Sequence, residues 1–213
     1  MFNVNNVKVQ SITTSESSLH PIQLRFTQNY KTQRTWDIIE THDTVRIILF
    51  NAIRNKLIIL RRFEPSVYFL SIPHEDRKHE IDMIKYPSEL GLVLELCGNV
   101  LNKTDEKSMM QEAKQTILQA TGYNIPTDSL EYISSYKSEV GHKCGENHVL
   151  YTEINDEMKV ASGGRIGEHE VEIVEMTISE MRKYIQKSLP EMRSTPCFLY
   201  TMIWFLNEKY KGC

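Results

Sequence analysis

Two apolar runs, "DTVRIILFN" (43–51) and "KLIILRRF" (56–63), stand on either side of the short link "AIRN". Runs this rich in β-branched and large apolar residues favour strands, and so short a connection makes the pair a hairpin. A chain with such a hairpin must build a sheet around it. Further strand signals are "PIQLRFTQNY" and "RTWDIIET", which read as an N-terminal hairpin joined by a polar turn. "LVLELCG", "LEYISSYKSEV", "NHVLYTEI" and "VEIVEMT" add more strands. Helical periodicity enters between them. Met109, Met110, Ala113, Ile117 and Ala120 share one side of a helix that Ser108 is expected to cap, and Gly122 stands where a helix-ending glycine belongs. Thr177 with Glu180 makes a capping box for a short helix. Thr195 followed by Pro196 starts another through "CFLYTMIWFLNEK", whose nearly continuous apolar side predicts deep packing. Strands and helices interleave without a regular βαβ rhythm, so the class is mixed α/β with a mixed sheet.

The 213 residues are enough for one domain with a small extra lobe, and the net charge of −3 gives no global basic field for nucleic acid or anionic membrane. The longest apolar runs fall far short of the ~20 residues that span a bilayer. "MFNVNNVKVQSITTSESS" lacks the basic-apolar-small order of a signal peptide. The four cysteines (Cys97, Cys144, Cys197 and Cys213) are scattered, which suits a reducing cytoplasm or nucleus. Residues 71–90 are charged and bracketed by Pro73 and Pro87, a surface insertion; 155–170 is a long polar loop.

Taken in order, "TWDIIETHDTVRIILFN", "FEPSVY", "LELCG", the helix ending "ATGY", "YTEIND", "GEHEVEIVEM" and "IWFL" resemble the nucleoside-diphosphate-sugar pyrophosphatase branch of the Nudix hydrolases, the UDP-sugar type in particular. The resemblance runs from about residue 19 to 206. It implies an α/β/α sandwich with a mixed sheet, spanning 43–213, and an N-terminal hairpin segment, 1–42, that helps to form a homodimer. It also implies cleavage of a diphosphate linkage with Mg²⁺ or Mn²⁺. The family signature is G-x5-E-x7-R-E-U-x-E-E-x-G-U, U being a bulky aliphatic residue. Its helical glutamates share one face and supply hard oxygens for the cations.

Anchored on Gly122 and Tyr123, the signature falls on the wrong residues. Its arginine becomes Gln115, the next glutamate Thr116, and the paired glutamates Gln119 and Ala120. The strand that commonly reads "ELCAG" reads "ELCGN", with Gly98 and Asn99 where alanine and glycine would stand. Glu112 survives one turn before Thr116. The branch's "F-R-P" arginine, which contacts substrate phosphate, is Glu64 here. Arg61 or Arg62 could compensate, although adjacent strand residues face opposite ways. No metal is therefore expected at Gly98, Thr116, Gln119 and Ala120.

The remaining candidates each have a plainer reading. Glu168 and Glu170 match a family loop that orients the attacking water, or form a solvated acidic loop. Trp36 stacks on a nucleobase, or belongs to the core or a dimer interface. Arg62, Lys137 and Ser138 are candidate substrate contacts. His142, Cys144, His148 and His169 fit no strong zinc spacing. The expectation is a protein that binds a nucleotide-sugar-like ligand or a protein partner without hydrolysis. The alternative is an active Mg²⁺- or Mn²⁺-dependent nucleoside-diphosphate-sugar pyrophosphatase whose rearranged site draws on Glu95, Glu112 and the 168–172 loop.

Overall fold

The computed structural model describes residues 4, 7–9, 20–77, 80–139, 141–186 and 193–210. Most of the polar stretch 1–20, and Cys213, lie outside these residues. Strands β1 (His20–Gln28) and β2 (Thr32–Glu40) form the first hairpin, β3 (Thr44–Asn51) and β4 (Lys56–Phe63) the second. Helix α1 (Pro65–Leu70) follows, then β5 (Leu92–Glu95), β6 (Cys97–Val100) and α2 (Glu106–Thr121). Next come β7 (Glu131–Lys137), β8 (Lys143–Cys144) and β9 (Glu146–Ile154). The small hairpin β10 (Arg165–Ile166) and β11 (His169–Glu170) precedes β12 (Glu172–Thr177), α3 (Ile178–Ile185) and α4 (Pro196–Trp204).

The main sheet runs β12-β4-β3-β9-β7, with β5 added to β4 and β6 to β3. Only the β3–β9 pairing within it is parallel, so the sheet is mixed as expected. The pleat divides the core. Val45, Ile47, Leu49, Ile58 and Leu60 pack with Met109, Ala113, Ile117 and Ala120 of α2. Their neighbours Ile48, Phe50, Leu57 and Ile59 pack on the other face with Ile178, Met181, Phe198 and Met202 of α3 and α4. Each such side chain contributes about 1.5–3 kcal/mol on burial, which fixes the α/β/α order of layers.

Local details differ from the sequence reading in four places. Asp105, not Ser108, caps α2: its carboxylate accepts the Ser108 N–H at 3.0 Å, which leaves Ser108 inside the first turn. The 71–90 stretch is more than a surface appendage. Its Ile72, Ile81 and Tyr86 join Tyr68 of α1 in a small core, closed by Val7 and Val9, and Tyr68 donates its hydroxyl to the Tyr86 carbonyl at 2.7 Å. The 155–170 loop contains the β10–β11 hairpin and a turn at Asp156–Met158 capped by Asn155. Finally, α4 ends at Trp204 and a π turn, Phe205–Lys209, seats Phe205 and Leu206 inward, while Tyr200 and Ile203 remain exposed. The Thr177 capping box and the Thr195 cap form as read. Among the described residues, no helix is long and apolar enough to cross a membrane.

Candidate functional site

Helix α2 stops because Gly122 takes φ +77°, a conformation that costs a side-chain-bearing residue strain, and donates its N–H to Leu118 at 2.9 Å. The 159–164 segment then seats on the helix end. Val160 and Ala161 donate N–H to the Gly122 carbonyl at 2.9 and 3.2 Å, and Gly164 donates to Ala120 at 2.9 Å. Lys159 Nζ reaches the Thr121 carbonyl at 2.5 Å and lies over the Tyr123 ring, where burial lowers its pKa. With the helix held this way, Thr116 is 3% exposed and Ala120 0%, both turned into the core. Gln115 and Gln119 are exposed.

The sheet face beneath α2 carries a different charge arrangement. Glu95 lies opposite Leu60 in the register, and Leu60 belongs to the α2 core. Strand alternation puts Arg62 on that same face. Its Nη2 stands 2.9 Å from Glu95 and 3.1 Å from Glu64, while the Glu95 side chain is only 8% exposed. Arg61, pointing the other way, donates to Glu172 through Nε and Nη2 at 2.9 and 2.6 Å. Arg62, expected to meet substrate phosphate, is thus engaged by carboxylates. Sequence reasoning missed this triad, although the R-x-E spacing of Arg62 and Glu64 was a signal for one half of it.

These residues do not fit a divalent cation that prefers hard oxygen ligands. Of the four family positions, Thr116 and Ala120 are buried without a carboxylate, Gln119 is an exposed amide, and Gly98 has no side chain. A Cβ on Gly98 would stand 2.2 Å from the Val45 carbonyl, so close approach of β6 to β3 demands glycine there. The alternative ligands are scattered. Glu112 accepts the Asn102 N–H at 3.1 Å, Glu172 is held on the opposite sheet face, and Glu168 and Glu170 are exposed around the β10–β11 hairpin. Cys97, beside Glu95 in sequence, is fully buried and its thiol is pushed up to about 12, so it offers no thiolate at neutral pH. Among the described residues, no three His, Cys, Asp or Glu side chains converge as a metal site.

A polar cleft of about 680 Å³ opens where β2, β8 and the loop before α2 meet. Lys103, Lys137, Lys143 and His42 line it together with the acidic Glu40, Asp43, Glu139 and Glu146. Lys137 pairs with Glu146 at 2.7 Å, and Ser138 is tied through its N–H to Gly145 at 2.9 Å. Trp36 stacks on His142 with ring centres 5.2 Å apart, and its indole N–H donates to Gly141 at 3.1 Å. His142 Nδ1 bonds the Asp37 carbonyl, and His148 meets Tyr132 instead of a metal partner. The structure therefore gathers Lys137 at the cleft, but leaves Trp36, Ser138, Arg62, Glu168 and Glu170 outside the cleft lining. His42, Asp43, Lys103 and Lys143 were missed, because only the fold brings these three short segments together.

Two curated relatives match most of the chain. The uridine diphosphate glucose pyrophosphatase of Mus musculus is 24% identical over 202 residues, covering 89% of this chain and 89% of that protein. The Bos taurus protein of the same name is 27% identical over 201 residues, covering 89% and 88%. Among solved structures, one described as an ADP compounds hydrolase superposes with a TM-score of 0.61 at 8% identity, covering 97% of this chain and 94% of that one. No protein-family model matches.

Proposed function

We propose, for a chain that carries the Nudix fold and resembles the UDP-glucose pyrophosphatases over most of its length, a binding role without hydrolysis. The observation that carries this reading is the burial of Thr116 and Ala120 at the positions where the family's metal-holding carboxylates would stand. Diphosphate hydrolysis in this family depends on cations that neutralise charge developing on phosphate, and here the carboxylates that would hold them are absent, engaged elsewhere or scattered. The ligand is nucleotide-sugar-like and sits in the polar cleft. Lys103, Lys137 and Lys143 meet its phosphates.

The test is incubation of purified protein with UDP-glucose and Mn²⁺, with calorimetry in parallel. The expected outcome is binding that weakens in Lys137→Ala and nucleotide sugar recovered intact. Mn²⁺-dependent turnover abolished by Glu170→Gln would sink the reading and move the chemistry to the 168–172 loop.

The β1–β2 hairpin supports a homodimer as part of this proposal. Ile22, Leu24 and Phe26 alternate onto one exposed face, with Trp36 directly opposite Leu24. An apolar strip of this kind on an edge hairpin favours association. Leu24→Arg is expected to halve the mass measured by light scattering after gel filtration. An unchanged mass would exclude this face as the interface.

A further inference from the structure

The Glu64 and Glu95 carboxylates approach one nitrogen of Arg62, which holds them within about 6 Å of each other. Two such carboxylates repel unless a cation stands between them, and Glu95 has little solvent to screen it. We propose that Arg62 is the resident cation of this face: its guanidinium stands between two carboxylates that a divalent cation could otherwise bridge. The inference deepens the non-hydrolytic reading and rests on it.

Three features support the assignment. Arg62 lies on the same sheet face as Leu60 and Glu95, whereas Arg61 is spent on Glu172 across the sheet. Unlike a bound metal, a guanidinium keeps its charge under all working conditions and cannot be chelated away. Among the described residues, Arg62 Nε has no hydrogen-bond partner, and the two Nη2 ion pairs contribute to offsetting the burial of the guanidinium. Glu64, which stands where the family carries an arginine, thereby shares its counter-ion with Glu95.

The experiment compares thermal unfolding of the unmodified protein, Arg62→Met and Arg62→Met/Glu95→Gln, each with EDTA and with millimolar Mn²⁺. The unmodified protein is expected to melt at one temperature in both. Arg62→Met is expected to melt roughly 5–10 °C lower in EDTA and to regain part of that loss with Mn²⁺. The double variant, with the stranded charge removed, should melt above the single variant and ignore Mn²⁺. If Arg62→Met alone does not fold, recovery of folding by Glu95→Gln supports the inference and continued misfolding overturns it. Equal Mn²⁺ stabilisation of the unmodified protein and Arg62→Met, or an equal response in the double variant, also overturns it. These readings need no turnover: hydrolysis by the unmodified protein would defeat the non-hydrolytic reading while leaving the role of Arg62 separately measurable.

Discussion

Ala120→Glu, the substitution that would restore one family carboxylate, is expected to lower stability by about 3–5 kcal/mol and to yield no hydrolysis. Ala120 is wholly buried, and its own carbonyl is bonded to Gly164, so the segment above it has no slack. A glutamate there must displace its neighbours and either ionise in an apolar setting or take up a proton. A buried glutamate takes the second course, its folded-state pKa rising above the unfolded value of about 4.3. The folded state then binds more protons than the unfolded one, so the variant loses stability as pH rises through that interval. Its deficit in melting temperature should therefore be smaller near about pH 5 than near about pH 8. Thermal unfolding followed by circular dichroism reads both. A melting temperature equal to that of the unmodified protein would mean that the helix face opens to solvent, and restored carboxylates would then have a place for metal.

Gly122→Ala should be costly for a different reason, with an expected loss of about 3–4 kcal/mol. The αL conformation accounts for about 1–2 kcal/mol. The remainder follows from a Cβ placed 1.8 Å from the Ala161 carbonyl, an approach that no rotation relieves. The 160–164 segment must lift, and the hydrogen bonds from Val160, Ala161 and Gly164 to the helix end go with it. Limited proteolysis should show new cleavage within 159–164 under conditions where the unmodified protein resists. A loss below about 1 kcal/mol, with no new cleavage, would show that the segment is not seated as described.

The order of strands and helices was legible because its signals are local. "TVRIILFN" and "KLIILRRF" carry strand propensity within themselves, and the Thr177–Glu180 box and the Gly122 stop each act within one helical turn. The absence of carboxylates at 116, 119 and 120 was likewise a matter of residue identity. The cap falls at Asp105 instead of Ser108 because both residues, three positions apart, carry the same N-cap signal.

What the sequence determined by itself, then, is the main strands and helices, their order and the chemistry missing from α2, but not α1, β8 or the β10–β11 hairpin. The tertiary structure alone decided where the surviving charges went. Glu95 meets Arg62 because β5 pairs with β4 in one register, and a shift of one residue would send the carboxylate to the other face. The satellite core of Tyr68, Ile72, Ile81 and Tyr86, and the cleft at β2 and β8, likewise join segments distant in the chain. Propensity and capping act over a few residues, whereas ion pairing, burial and clefts depend on distances that exist only after the chain has closed.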